Sequence, residues 1–281
     1  MSYLDRIVEC NAHDLSGFRC FTIGEASVGW VRHDLAEELA AEAAVFRLDE
    51  ETLSLDPSLT DFDGRSLAVE GVVRRLADAG RISGWRGEYY PVATGFAAPP
   101  LMRLERAAVP HFGIRAYGVH LNGYVRDGER LKMWVGRRAR GKQTYPGQLD
   151  NMVAGGQPIG IGLKENLVKE CAEEAAIPPE IAERAVPVSA VSYVLETTEG
   201  LRPDVLFNYD LELPADFEPR NTDGEVESFH LWPIEEVAEI VRETREFKFN
   251  CNLVVIDFLV RHGLIGPEDP DYLEIVRGLH R

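Results

Sequence analysis

The segment AGGQPIGIGLKENLVKECAEEAAI, residues 154–177, constrains the fold more than any other stretch of the chain. Its first part carries too much glycine for a regular element, and residues 162–177 then repeat apolar side chains at helical spacing. Leu163, Leu167 and Cys171 fall on one stripe with Val168, Ala172 and Ala175 beside it, so one face can pack on a sheet while the opposite one is charged. On the charged side Glu170, Glu173 and Glu174 stand at i, i+3 and i+4, where side chains are immediate neighbours. Like charges so placed destabilise an isolated helix by roughly 0.2–0.5 kcal/mol per pair, and a divalent cation reverses that sign. Magnesium takes oxygen ligands, keeps several waters and is held by a few carboxylates together with substrate phosphates. A solvated face of an acidic helix has the same composition, so the helix by itself leaves both readings standing.

Strands surround this segment. Residues 117–125 and 131–135 read as a hairpin turning at Asp127-Gly128, and residues 188–195, 205–213 and 228–232 as further strands. Helices are expected over 234–243, opened by Pro233, and over 252–262, stopped by Gly263. Strands, loop, helix, strands and helix in that order predict an α+β sandwich. Upstream, residues 18–31 read as a strand pair turning near Gly24. Residues 34–46 (Leu35, Leu39, Ala43) and 66–79 (Leu67, Val72, Val73, Leu76) read as amphipathic helices. Nothing in that half has catalytic spacing. Pro99-Pro100 and Pro110 mark a boundary within residues 95–113, which gives an N-terminal α+β extension, 1–112, and a second domain, 113–281.

With 281 residues, 45% of them hydrophobic, the chain can fill its cores without staples. Cys10, Cys20, Cys171 and Cys251 lie far apart with no C-x-x-C pair, as suits a reducing cytoplasm. The first ten residues lack a basic start and apolar run, and no stretch reaches the ~18 apolar residues that a membrane span needs. A net charge of -17 repels nucleic acid and anionic lipid, so a phosphorylated substrate needs a metal ion or a local basic pocket. Arg137, Arg138, Arg140 and Lys142 are the densest basic cluster and a candidate phosphate site, or equally a soluble hairpin tip. Trp85, Trp134 and Tyr145 are candidates to stack on a ligand ring, though aromatics in strands more often fill cores; Asn250 and Asn252 are expected as helix caps rather than ligand contacts, and His120 and His262 in structural roles. No Walker loop is present.

Residues 154–177 resemble the Nudix box, G-x5-E-x7-R-E-U-x-E-E-x-G-U with U aliphatic: Gly155, Glu170, Glu173, Glu174 and Ile177 match, whereas Ile161, Lys169 and Ala176 replace its glutamate, arginine and glycine. More widely, GWRGEYYPV, WVGRRARGKQTYPGQLDNMVAGG, ENLVKECAEEA and FNCNLVVIDFLVRHGLI look like the Nudix subfamily labelled thiamine pyrophosphokinase-related, whose members carry an N-terminal extension of unassigned role (DUF4743-like). The resemblance implies a Nudix α/β/α sandwich with a mixed sheet behind a smaller α+β domain. It implies a Mg2+ or Mn2+ ion on Glu170, Glu173 and Glu174, and Glu173, Glu174 and Lys169 in catalysis. Glu225 or Glu227 would serve as a further acid, the two facing one way if they lie on a strand. Arg137, Arg138, Lys142, Gly155 and Gly156 would meet a small-molecule diphosphate. The implied reaction is hydrolysis of a diphosphate linkage, in thiamine diphosphate or its oxidised or damaged analogues, to the monophosphate. A nucleoside-diphosphate-sugar or ADP-ribose hydrolase and a non-catalytic sensor are the alternatives, and the isopentenyl diphosphate isomerases are disfavoured for want of the expected cysteine. No nucleic-acid or membrane partner is expected, and a homodimer is allowed for.

Overall fold

A computed structural model describes residues 2–142 and 144–280. The chain runs α1 (Tyr3–Cys10), β1 (Phe18–Ile23), β2 (Ala26–Arg32), α2 (His33–Ala40), β3 (Phe46–Leu48), β4 (Thr52–Leu55), α3 (Phe62–Asp78), β5 (Tyr89–Val92) and β6 (Met102–Glu105). It continues through β7 (Tyr117–Asp127), β8 (Arg130–Arg138), β9 (Leu149–Asn151), β10 (Val153–Gly156), α4 (Leu163–Ala175), α5 (Pro179–Ala182), β11 (Val186–Ser192), β12 (Leu195–Glu196), β13 (Leu201–Arg202), β14 (Val205–Glu212) and β15 (Val226–Pro233). Helices α6 (Ile234–Glu243), α7 (Cys251–Arg261) and α8 (Tyr272–Gly278) close it.

In the N-terminal half a four-stranded sheet, ordered β2-β1-β4-β3, shares a core with α2 and α3. The helix expected over 34–46 stops at Ala40 because the Glu42 and Val45 N–H groups turn back to Leu39 and Glu42. Phe46 then pairs with Leu55 and packs near Phe21 and Phe112, so tertiary burial overrides the helical period. Asp61 caps α3 by accepting the Gly64 N–H, 2.8 Å away. The buried face of α3 is Val69, Val72, Val73 and Leu76, while Leu67, expected in that stripe, is 72% exposed.

The larger sheet is ordered β11-β14-β7-β8-β15, with β10 on β7 and β9 on β8. Only β14 and β7 run parallel, which makes the sheet mixed. One of its faces meets α4 through Val119, Leu121, Leu167, Cys171 and Ala175. The other meets α6 and α7 through Met133, Val135, Val237 and Leu253, completing the sandwich. Helix α1 joins this second core, not the N-terminal one: Ile7 lies against Gly278 of α8, and the buried Arg6 donates to the Val241 carbonyl at 3.0 Å. No helix among the described residues is long and apolar enough to cross a membrane.

Candidate active site

Helix α4 carries the acidic trio, and its two ends are held by different devices. At the C-terminal end Ala176 takes a left-handed conformation, φ 53°, where the Nudix pattern has glycine, and its N–H closes on the Cys171 carbonyl. At the other end buried Asn166 donates to the Gly156 carbonyl at 2.8 Å and to Gln157 Oε1 at 3.1 Å, and Gln157 Nε2 donates to the Ile161 carbonyl at 2.6 Å. Amide side chains therefore shape the loop around Ile161, where the family pattern has an acid.

The three glutamates do not share one outer face. A helix advances about 100° per residue, which sets position 174 between 170 and the buried 171. Glu174 accordingly turns inward, 7% exposed, and Oε2 accepts the Ala154 N–H at 2.9 Å. Burial pushes its pKa well up, and the neighbouring Asp150, Glu170 and Glu225 charges push the same way. Glu170 lies beneath Gly155, where any Cβ would collide with its side chain. Burial also raises its pKa, against the pull of Lys169. Glu173 is half exposed. Lys169 Nζ bridges Glu170 and Glu173 at 2.9 Å each, so a lysine holds both carboxylates without an arginine's fork.

Beyond the helix the two further acids part company. Glu225 precedes β15 and lines a cavity of about 10 Å³ with Glu174, Asp150, Asn151 and Arg138. Burial acts to raise its pKa, but ion-paired Lys142 together with Arg86 and Arg106 holds it below the ordinary value. Glu227 sits in a β-bulge between Val226 and Ser228, exposed, with Oε2 3.6 Å from Arg140. The premise that both acids lie on one strand does not hold, since Glu225 precedes β15 and a bulge follows Val226.

The basic cluster is occupied by the protein itself. Arg138 donates to the Tyr145 and Thr144 carbonyls and to Asp150 Oδ2 at 3.1, 2.9 and 2.8 Å. Arg137 takes the Gly147 carbonyl at 2.9 Å and Glu246 at 3.3 Å, and Lys142 takes Glu225. These cations tie residues 144–147 and Lys142 to the strands and acids around the site.

Three residues that sequence spacing leaves scattered meet beside it. His120, Asp150 and Cys251 form a potential metal-coordinating cluster, the group among the described residues whose donor atoms all lie within 4.8 Å of one another. All three are buried. The Cys251 thiol donates to Asp150 Oδ1 at 2.8 Å, and His120 Nδ1 meets Asn151 Oδ1 at 2.8 Å. Burial, then Lys248, depresses the His120 pKa to about 4, so the ring is neutral. Asn250 makes no side-chain cap on α7 and donates instead to the Tyr193 hydroxyl at 3.2 Å. Both border a cavity of about 160 Å³ on the seam between the N-terminal and C-terminal cores, together with Gly155, Gly156, Arg106 and Lys248.

The donors present fit a hard divalent cation. Glu174 is a buried carboxylate with one backbone donor and no cationic partner among the described residues, and three other carboxylates raise its pKa. A divalent cation that takes oxygen ligands would relieve that crowding.

A family model described as a domain of unknown function (DUF4743) matches residues 2–116. Nudix hydrolase 20, chloroplastic, of Arabidopsis thaliana is 46% identical over 289 residues, covering 99% of this chain and 77% of its own length. Nudix hydrolase 24, chloroplastic, of the same plant is 46% identical over 282 residues with the same coverage. Among solved structures, the NUDIX domain of Shewanella oneidensis NrtR, complexed with ADP ribose, is similar at 15% identity and a TM-score of 0.43, over 55% of this chain and 91% of that one. Identity at the level of the two plant proteins, sustained along nearly the whole sequence and joined to the box on α4, means that the chain belongs to the Nudix hydrolase family.

Proposed function

We propose that the protein hydrolyses the diphosphate linkage of a small organic diphosphate, with thiamine diphosphate or its oxidised or damaged analogues as substrate. Water adds to one phosphorus, the bridging P–O bond breaks, and a monophosphate ester and inorganic phosphate leave. The observation that carries this reading is Glu174, a carboxylate buried without a counter-charge beside Glu170, Glu225 and Asp150. Glu170, Glu173 and Glu174 would hold Mg2+ or Mn2+. Such an ion, when bound, neutralises phosphate charge and makes a coordinated water more acidic.

The chain's own groups divide the remaining work. Lys169 gathers Glu170 and Glu173 and offsets their repulsion before an ion arrives. Glu225, whose depressed pKa keeps it ionised at neutral pH, shares a small cavity with Glu174 and would serve as the proton acceptor. Gly155 and Gly156 leave room for Glu170 and Tyr90 to close on the β10 backbone, and a phosphate would have to meet that backbone from beside them. Arg137, Arg138 and Lys142 shape the loop over the site, and a phosphate would compete for Lys142. Glu227, on the bulge, would act only through Arg140. All four cysteines are free, which suits the reducing cytoplasm expected for such a clean-up enzyme.

Phosphate release from a panel of diphosphates, with Mg2+ or Mn2+ added or chelated, tests the reading. Metal-dependent release that Glu174→Gln abolishes is the expected result. Tight ligand binding with no release from any of them would favour the sensor instead.

A further inference from the structure

The acidic site uses one side of β10, and the seam cavity opens on the other. Successive strand residues face opposite ways, so Gly155 turns toward Glu170 and Gly156 toward Tyr90 and Arg106. A Cβ on Gly156 would strike the Tyr90 hydroxyl and lie 3.7 Å from the Arg106 guanidinium carbon. With no side chain at either glycine, the β10 backbone and the Tyr90 hydroxyl are what lie between Glu170 and a cation supplied by the N-terminal half. The two are electrically coupled as well, since Arg106 is among the charges that act on Glu225.

The cavity's charge runs against that of the chain. Net charge is -17, yet Arg106, Arg202 and Lys248 line this cavity opposite a single carboxylate, Asp204. Their hydrogen bonds are incomplete. Arg106 gives Nη1 to Glu88 at 2.6 Å, and its Nε and Nη2 have no acceptor among the described residues. Arg202 gives Nη2 to Glu199 at 2.6 Å, while its Nε is buried with no partner. Lys248 makes no ion pair or side-chain hydrogen bond among the described residues, although its backbone is fixed by its N–H to the Leu149 carbonyl at 2.8 Å. Guanidinium and ammonium groups with donors left over, lining one solvent-reached cavity in which the Arg106 side chain is 40% exposed, suit an anion rich in acceptors. At about 160 Å³ the space holds a phosphate with its waters.

We propose that the seam cavity is a phosphate seat in which Arg106, from the N-terminal half, and Lys248, from the C-terminal half, clamp the substrate's anionic group. The N-terminal domain then supplies a specificity-determining residue of the active site. This deepens the diphosphatase reading and rests on it for the identity of the anion.

Inorganic pyrophosphate, titrated calorimetrically onto the full chain in chelator, tests the seat without turnover. Arg106→Ala and Lys248→Ala should each weaken binding about tenfold or more, as loss of a charge-assisted hydrogen bond does. Arg106→Lys should keep part of the affinity, and Arg103→Ala, which changes a neighbouring arginine stacked on Tyr89, should keep all of it. Thermal unfolding of each variant separates lost contact from lost fold, and Lys248→Ala stands as the independent arm should Arg106→Ala unfold. With a hydrolysed substrate, Arg106→Ala should raise KM more than it lowers kcat. Pyrophosphate that binds wild type and both alanine variants equally, or fails to bind wild type, overturns the seat. Wild-type binding that depends on Arg106 without any metal-dependent hydrolysis would uphold the seat and sink the diphosphatase reading instead.

Discussion

Replacing Glu174 with glutamine should make the metal-free protein more stable while stopping its chemistry. Glutamine keeps the side-chain length and the oxygen that accepts the Ala154 N–H, and removes a charge that is 7% exposed and has no cationic partner among the described residues. The native state holds the Glu174 proton more tightly than the unfolded chain does, so wild-type stability falls as pH climbs from the ordinary glutamate value toward the raised one. Each unit of that displacement costs ~1.4 kcal/mol. Relief of a buried, uncompensated carboxylate is worth about 1–3 kcal/mol, and each kcal/mol moves Tm by about 2–4 °C in a chain of this size. Calorimetric unfolding in chelator at about pH 8 should therefore show Glu174→Gln melting several degrees above wild type, with the two converging near pH 4. Mg2+ should raise Tm for wild type only, since an ion that binds the native state alone stabilises it. Hydrolysis should fall about 100-fold or more, beyond what loss of an outer hydrogen-bond partner to a metal ligand costs. A variant that melts below wild type in chelator, or that Mg2+ stabilises as much as wild type, would refute Glu174 as a buried acid awaiting a cation.

Ala176→Gly should stabilise the protein by about 1 kcal/mol, because relief of left-handed strain exceeds glycine's added unfolded-state entropy; denaturant titration measures it. His120→Gln should remove a stability loss of about 3 kcal/mol that wild type suffers as pH falls from 6.5 toward 4, since the unfolded chain takes up a proton there and the native ring does not. The difference between the two pH-stability curves isolates this contribution from the opposite trend of Glu174. Gly156→Ala should cost about 1–3 kcal/mol by overpacking against Tyr90, and adding Tyr90→Phe should recover part of it, as a double-mutant cycle of urea midpoints would show.

What could be read from the sequence was whatever repeats over a turn or a pleat. The apolar stripe of Leu167, Cys171 and Ala175 placed α4 on a sheet, and Pro233 and the period after it gave α6 its observed bounds, Ile234–Glu243. The stripe was misjudged at Leu67, which at about 100° per residue lies opposite Val69, Val72, Val73 and Leu76, and periodicity misled past Ala40, where Phe46 gains more in an aromatic cluster. The acids of the site were legible as residues and not as settings: one helical step turns Glu174 inward, and a bulge at Glu227 leaves it on Arg140 while Glu225 takes Lys142. Arg106, Arg202 and Lys248 offered no signal at all, each being a lone cation until the fold brings them to one cavity. The conspicuous run Arg137, Arg138 and Lys142 drew attention instead, though its donors go to nearby carbonyls and acids.

The seating of α1 among α6, α7 and α8 governs how this protein can be taken apart and how it is made. Trimming from the front would strip Ile7 and Cys10 out of the sandwich before touching the N-terminal sheet, so the smaller body can be removed only by looping it out between α1 and β7. On the ribosome that smaller body can close early, whereas α1 must wait, uncovered, until α7 and α8 emerge to receive it.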